Sequence, residues 1–340
     1  MAMSPSASLA TLRPDLAQSF EAFDLEAQHA GFIGPKILPF IPVAEQAGNY
    51  GYVPPEQMLV QRQDTRAPGS GYNRSQATFK GLTYACREHG VEEAVDDREA
   101  KMYGNYFDAE SFAARRARDA ILRNFEQRVV AQLTDTTNNF PSSGSLSNYG
   151  VIGTAGTAGL GSSISWKTIA TADPVTDVAI VSKAIYANSG LIPNKMIVSY
   201  NKFWDLRRNA NVISQIKYSG LDNPKMEVAT AVKILSELFG LELLVAGAQY
   251  NSANQGQSMS LLSIWPVGSV LFAKVPTSAD FREACLGRTF HWSADGSSEN
   301  GTVESYRDET VRSNIVRVRM DTDEQIILPQ AAFLLTGVDA

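Results

Sequence analysis

Residues 108–134, DAESFAARRARDAILRNFEQRVVAQLT, carry the clearest helical pattern in the chain. Asp108 suits the N-cap, and Glu110 lies in the first turn, where the helix dipole favours an acid. Apolar residues then recur at i+4 spacing, which places them on one face of a helix: Ala113, Ala117, Ile121, Phe125, Val129 and Leu133. Such a helix rises about 1.5 Å per residue and would span roughly 40 Å. We therefore predict a structural strut at 108–134 rather than a catalytic element.

The segments before this helix predict an arm and an extended ribbon. Residues 1–43 have helically spaced apolar side chains followed by prolines, and they have too little apolar surface to fold alone. Residues 44–91 predict two strand-like limbs, 52–60 and 77–84, around a tip rich in turn formers. Both limbs are polar, and an uncovered two-stranded ribbon is marginally stable in water. Two interpretations stay open: a solvated surface loop, or a ribbon that becomes stable against a neighbouring subunit.

The ribbon and the segment that follows it carry opposite charges. Between residues 60 and 80, four basic residues stand against Asp64, a net charge of +3: Arg62, Arg66, Arg74 and Lys80. Between residues 88 and 99, six acids stand against Arg98, a net charge of −5, and four of them are Glu92, Glu93, Asp96 and Asp97. Opposite patches on one chain can meet across a repeated interface between subunits. These eight residues are the candidates for inter-subunit contact, with two solvated faces as the alternative.

The chain after the long helix divides into a loop, an α/β unit and terminal strands. Residues 136–165 are low in complexity and predict a long loop. The α/β unit is predicted to contain helices at 174–188, 202–217 and 226–239 and strands at 195–200, 241–245 and 269–275. Residues 316–320 and 325–328 predict two strands, with a turn at 321–324.

The residues that could carry chemistry do not form a site in the sequence. The glycines from Gly153 to Gly161 follow a GxxGxxGxG order without a preceding strand, which favours a flexible loop over a dinucleotide site. Four possible metal ligands have mismatched spacing: Cys86, His89, Cys285 and His291. The chain has no GxSxG nucleophile motif, and three acids at 321–324 are interpreted as a solvated turn. We predict no catalytic residues, no cofactor and no metal.

The composition limits the function classes further. The 340 residues carry a net charge of −6, whereas a protein that coats nucleic acid without sequence preference normally has a basic excess. Two cysteines exclude a disulfide scaffold and suit a reducing compartment. The sequence contains neither the roughly 18 consecutive apolar residues of a membrane span nor a secretory signal. We expect a soluble protein made in a cytoplasm, in which the sequons at Asn73 and Asn300 arise by chance.

The order of arm, ribbon, acidic segment, long helix, α/β unit and terminal strands resembles the major capsid proteins of tailed phages. Their Hong Kong 97-like fold is also used by encapsulin nanocompartments. The stretches that carry the resemblance are EEAVDDRE at 92–99, IPNKMIV at 192–198, FWDLR at 203–207, VI at 212–213, FGLELLVAGAQYN at 239–251, SIW at 263–265 and GRTFHW at 287–292. The resemblance covers residues 30–338 and depends on the order of these stretches rather than on one motif.

The resemblance implies an α+β protein with five parts. These are an N-terminal arm at 1–43, an extended β-ribbon loop at 44–91, a peripheral domain at 92–172 that contains the spine helix 108–134 and the glycine-rich loop, an axial domain at 173–290, and return strands of the peripheral domain at 291–340. Some members of the family form a Lys–Asn cross-link between subunits. Lys80 lies in the ribbon, but no acid catalyst or partner asparagine is identified in this sequence, and we do not extend that chemistry to it.

The resemblance also implies a structural function without catalysis. The expected product is an icosahedral shell of hexamers and pentamers that encloses the double-stranded DNA of a tailed phage without sequence-specific binding. The expected partners are further copies of the chain and possible scaffolding, portal and decoration proteins, with assembly in the host cytoplasm and a final location in the virion. The alternatives are an encapsulin-type compartment and, from a different class, an α/β enzyme that uses residues 173–290.

Overall fold

The structure, a computed structural model, describes most of the chain. The described residues are 11–12, 32–103, 108–140, 151–154, 165–216 and 227–339, except 63, 73, 75, 77, 79, 255, 281 and 300. The predicted helical part of the arm falls outside these residues apart from Thr11 and Leu12, which form a strand. Asn73 and Asn300 also fall outside them.

Eight α-helices lie within the described residues. They are α1 (Gly34–Ile37), α2 (Pro55–Met58), α3 (Asp97–Tyr103), α4 (Ala109–Leu133), α5 (Pro174–Ser189), α6 (Tyr200–Arg208), α7 (Ala210–Gln215) and α8 (Val228–Phe239), followed near the C-terminus by a single 3₁₀ turn at Pro329–Ala331. None of the helices in this part of the chain combines the length and the apolar character that a membrane span requires.

Fifteen strands lie within the same residues. They are β1 (Thr11–Leu12), β2 (Phe40–Val43), β3 (Ala47–Tyr52), β4 (Lys80–Ala85), β5 (Arg87–Asp96), β6 (Val151–Thr154), β7 (Lys195–Ser199), β8 (Glu242–Ala246), β9 (Gln249–Asn251), β10 (Leu261–Ser263), β11 (Ser269–Ala273), β12 (Gly287–Trp292), β13 (Thr302–Asp308), β14 (Ser313–Ile326) and β15 (Ala332–Thr336). They form a six-stranded sheet, a five-stranded sheet and two separate two-stranded pairs.

Strand β14 is the centre of the six-stranded sheet. One of its edges pairs with β5 over residues 313–322. Its other edge pairs first with β13 and then with β12. Strand β2 extends the sheet beside β12 in parallel, and β1 lies antiparallel to β13. Strand β5 directly follows the ribbon strand β4 in the chain. Because β5 pairs with β14, the ribbon is joined to the body of the protein through β14.

Helix α4 packs across this sheet and confirms the predicted strut. The side chain of Asp108 accepts a hydrogen bond from the backbone N–H of Glu110 and so caps the helix. The predicted apolar stripe is buried along its whole length, from Ala113 to Leu133. It shares one hydrophobic core with Val316, Val318 and Met320 of β14. The i+4 pattern was sufficient here because one face of the helix meets one continuous apolar surface.

The five-stranded sheet has the order β6-β15-β11-β7-β8 and is apolar on both faces. Residues such as Met196 and Phe272 point into a core shared with α5, α6 and α8. Alternate residues such as Ile197 and Leu271 join the core around α4. Strand β15 pairs with β11 in this sheet, although residues 291–340 were predicted as return strands of the peripheral domain. A short apolar strand has no local signal that selects one sheet over another.

The predicted turn at 321–324 is wrong, because β14 runs through these residues without interruption. Partner strands lie along both of its edges, and its acids are all engaged. Asp321 lies beside Arg319, Asp323 accepts the backbone N–H of Ala85, and Glu324 pairs with Arg128 of α4. Distant partners therefore compensate the charges that made this segment resemble a solvated turn.

The predicted helix at 202–217 is divided into α6 and α7 at Asn209, which is fully buried. Its side chain accepts hydrogen bonds from the backbone N–H groups of Asn211 and Val212 and donates one to the carbonyl of Ala172, 3.1 Å away. Asn209 is therefore the N-cap of α7, and it interrupts a stretch whose apolar spacing predicted one continuous helix. Residue 217 itself falls outside the described part of the chain.

Glu126 of α4 connects three distant segments inside the core, and it is 0% exposed. Its carboxylate accepts hydrogen bonds from the backbone N–H groups of Ile33 (3.1 Å) and Gly34 (2.7 Å) and from the indole N–H of Trp265 (2.6 Å). Burial raises the pKa of Glu126, and these three hydrogen bonds oppose the rise. A Cβ at position 34 would lie 2.7 Å from Oε2, so this close approach requires glycine.

Removing this carboxylate is expected to destabilise the whole chain. Glu126→Ala leaves three buried donors without an acceptor and should lower the free energy of unfolding by about 3–5 kcal/mol. Glu126→Gln keeps one acceptor oxygen and should cost about 1–2 kcal/mol. Urea unfolding followed by circular dichroism measures both. Gln132→Ala, at an exposed position of the same helix, is the control, and a Glu126→Ala variant as stable as this control would contradict the assignment.

Candidate assembly surfaces

The ribbon consists of a short ladder and an extension whose described residues belong to no strand. Strands β3 and β4 pair antiparallel from Ala47 with Ala85 to Tyr52 with Lys80. The predicted outgoing limb is only partly extended, because β3 ends at Tyr52 and α2 follows at Pro55–Met58. We call the β3–β4 pair with Cys86 the ribbon root, and residues 53–79 the distal ribbon.

Aromatic side chains hold the ribbon root on the body. The ring of Tyr84 stacks on Phe290 of β12 with centroids 4.6 Å apart, and Tyr50 contacts the same ring at 5.2 Å. Burial raises the pKa of Tyr50 to about 12, with a further contribution from the charge of Asp323. The indole N–H of Trp292 donates to the carbonyl of Ala44 at 3.2 Å. The root is therefore a packed part of the body.

The distal ribbon is exposed and carries both apolar and basic side chains. Met58, Leu59 and Tyr72 are 73%, 70% and 72% exposed. All four predicted basic contact residues are exposed, three within the distal ribbon and the fourth at its junction with the root: Arg62, Arg66, Arg74 and Lys80. The guanidinium of Arg66 lies 4.8 Å from the ring centroid of Tyr72. Such a surface of bulky apolar groups beside cations is typical of a contact region rather than of a solvated loop.

The four predicted acidic contact residues are engaged within their own chain. Glu92 pairs with Arg317 at 3.7 Å, and Glu93 pairs with Arg116 at 3.2 Å. Asp97 binds the guanidinium of Arg307 through both oxygens, at 2.6 and 2.7 Å, and this hydrogen bonding lowers its pKa. Asp96 accepts the backbone N–H of Arg98. The structure does not bring the acidic set and the basic set together within one chain.

A cavity of about 530 Å³ separates the ribbon from the body. Tyr50, Met58 and Leu59 line it from the ribbon side, and Leu191 and Ile327 line it from the body side. A methyl carbon of Leu59 lies 3.5 Å from the position that a Cβ on Gly190 would occupy. The start of the distal ribbon therefore contacts the body at Leu59, and the cavity between them is not filled by side chains.

A second exposed apolar surface lies on the β9–β10 hairpin. Met259 is 70% exposed, Leu261 50% and Leu262 46%. These residues are absent from the predicted contact set. Their signal in the sequence is a short apolar run beside the Asn-, Gln- and Ser-rich stretch 251–258, which is unusual for a solvated loop.

The possible metal ligands named in the sequence analysis do not form a metal site in the described part of the chain. Among these residues, no group of three or more His, Cys, Asp or Glu side chains could hold a metal ion. Burial raises the pKa of the Cys86 thiol to about 11, and burial also raises the pKa of Cys285. Nε2 of His291 lies 3.2 Å from the hydroxyl of Ser297. Gly153 lies in strand β6, contrary to the predicted loop, while residues 155–164 and His29 fall outside the described residues.

The comparison with known sequences identifies a phage relative. The chain is 23% identical to the major capsid protein of Burkholderia phage BcepMu over 248 residues, which cover 73% of this chain and 72% of the relative. No family model matches the sequence.

The comparison with solved structures establishes the fold. A phage-related protein from Bordetella bronchiseptica RB50 aligns with a TM-score of 0.67 at 18% identity, covering 97% of this chain and 98% of that chain. The capsid of Cyanophage P-SCSP1u aligns with a TM-score of 0.57 at 12% identity, covering 87% and 85%. The holo-SrpI encapsulin complex from Synechococcus elongatus PCC 7942 aligns with a TM-score of 0.50 at 9% identity, covering 90% and 87%. The resemblance seen in the sequence is thereby confirmed: the chain has the α+β Hong Kong 97-like fold, and its sequence is similar to that of a phage major capsid protein.

Proposed function

We infer that the chain is a shell-forming structural protein without enzymatic activity, the major capsid protein of a tailed phage. It assembles into the icosahedral shell that encloses the packaged double-stranded DNA. The observation that carries this inference is the combination of the fold with an exposed distal ribbon that its own chain leaves largely uncovered. Such a ribbon gains stability when a neighbouring subunit covers it.

Assembly of the shell depends on weak contacts that are repeated between copies. Each subunit exposes the apolar and basic distal ribbon at one place and the apolar β9–β10 hairpin at another. In a closed shell of hexamers and pentamers the copies make closely similar contacts, so that modest interactions add up around the particle. The sequence relative is a phage capsid protein, and this favours a virion over an encapsulin-type compartment, although both share the fold.

The ribbon arginines are proposed to contact acids of a neighbouring subunit. Glu92 and Asp97 already bind cations of their own chain, but their side chains remain 47% and 46% exposed. A carboxylate has about four acceptor positions, so each can accept a second guanidinium from outside. Glu93, which is 24% exposed, has less room for one. The acidic set therefore remains a candidate receiving surface, with Glu92 and Asp97 as its accessible members.

Further partners follow from the same proposal. Scaffolding, portal and decoration proteins are candidate partners, with assembly in the host cytoplasm and a final place in the virion. The net charge of −6 suits a shell that encloses DNA, since a wall without a strong basic excess does not grip the phosphates.

The assembly state of the purified chain tests the function. Light scattering and negative-stain microscopy across salt and protein concentrations should detect shells, tubes or five- and six-membered rings. The proposal would be contradicted by a chain that stays a 36.9 kDa monomer in every condition, including co-expression with the proteins of neighbouring genes.

Charge reversal tests the contact made by the ribbon. Arg62→Glu, Arg66→Glu and Arg74→Glu together should abolish or strongly reduce particle formation, because the three exposed cations would become repulsive toward an acidic surface. Circular dichroism of the subunit should stay unchanged. The matched control is the triple arginine-to-lysine variant, which keeps the charge and should still assemble. Normal particles from the glutamate variant would exclude this contact.

A further inference from the structure

The cavity between the ribbon and the body is lined mainly by apolar side chains. Its volume of about 530 Å³ lies within the range of roughly 300–1,000 Å³ that is typical of small-molecule sites. The ribbon contributes Tyr52, Val53 and Leu59 to the lining, and the body contributes Leu191 and Leu328. An apolar cavity is a poor site for ordered water, because a buried water molecule needs several polar partners. The space therefore suits an apolar group.

Two of the described residues that line the cavity are charged, Arg282 and Glu283. The carboxylate of Glu283 is bound by its own loop. It accepts hydrogen bonds from the backbone N–H and the hydroxyl of both Thr277 and Ser278, at 2.8 to 3.0 Å. A carboxylate has about four acceptor positions, and these four donors occupy them. Glu283 therefore stabilises the loop and is not available to a ligand.

The guanidinium of Arg282 is the charge that remains available at the cavity. Arg282 is exposed, and its side chain forms no ion pair with the described residues. Asp280, two residues earlier, accepts the backbone N–H of Arg282 at 2.9 Å. A guanidinium is a planar fork of N–H donors that matches a carboxylate in both shape and charge. An apolar cavity beside such a cation fits a molecule with an apolar chain and an anionic head.

We propose that this cavity is a binding site for an anionic amphiphile of the fatty-acid class. The apolar chain lies in the cavity, and the carboxylate binds the guanidinium of Arg282. The inference concerns a single subunit, goes beyond the proposed function and does not rest on it. A bound chain contacts Leu59 of the ribbon and Leu191 of the body together, and so it holds the start of the distal ribbon against the body.

Titration calorimetry of the full-length, unassembled chain with hexanoate, octanoate and decanoate tests the proposal. The ligands are kept below their critical micelle concentrations. Each added methylene removes more apolar surface from water when the chain enters the cavity, so the affinity should rise roughly threefold per methylene. Octanol has the same chain as octanoate without the charge, and it reports the apolar part of the site alone.

The contribution of the head group is tested at Arg282. Arg282→Gln should weaken octanoate binding about threefold to tenfold, because the carboxylate loses its ion pair. Octanol binding should stay at the wild-type level in this variant. Arg208→Gln makes the same charge change at an exposed position of α6, and it should leave the binding of both ligands unchanged.

The contribution of the cavity is tested at Ala284, an exposed residue of its lining. Ala284→Phe places a ring in the space of the chain and should weaken octanoate and octanol alike, by about tenfold or more. Ala131→Phe makes the same change at an exposed position of α4 and is the matched control. Circular dichroism of each variant should match the wild type.

The proposal is overturned if the wild type binds neither octanoate nor decanoate, or if Arg282→Gln or Ala284→Phe binds octanoate as tightly as the wild type. The last result would place the ligand elsewhere on the chain. If Ala284→Phe does not fold, Arg282→Gln decides alone, because it changes an exposed side chain. Failure of the chain to form particles contradicts the proposed function only, since calorimetry of the unassembled chain reports on the cavity itself.

Discussion

The architecture depends on one buried carboxylate, Glu126. Its oxygens accept hydrogen bonds from the start of α1 and from Trp265, and so the spine helix fixes both the segment that contains α1 and the connection between β10 and β11. A buried acid without a cation is costly, and it persists because three donors surround it. The apolar core around α4 includes residues of both sheets, so the two sheets are held in one body.

A body fixed in this way can carry an exposed segment. The ribbon root is stacked on Phe290 through Tyr50 and Tyr84, whereas Met58, Leu59 and Tyr72 beyond it remain exposed. The boundary between packed and exposed chain falls at the end of the short β3–β4 ladder. The body supplies stability, and the exposed distal ribbon is the surface that we propose contacts a second copy.

Local sequence patterns predicted the elements that pack one apolar face against the core. The structure of the other segments depends on contacts with residues that are distant in the chain. The helix at 108–134 followed from its i+4 stripe. The continuous strand through Asp321–Glu324 did not, because the groups that compensate its charges, such as Arg128, lie almost 200 residues away in the chain. The four acids between residues 92 and 97, which follow the ribbon, were predicted as a set. The cations that bind two of them, Arg307 and Arg317, lie on distant strands and carry no local signal.

The proposed shell depends most on the distal ribbon as a contact surface for a neighbouring subunit. A cryo-electron microscopy map of the assembled particle tests it most directly, because it places the residues around Met58 and Arg66 relative to every neighbour. We expect these side chains to lie against a second copy, with the ribbon arginines near carboxylates. A map in which the distal ribbon projects into solvent, without contact to another subunit, would contradict it.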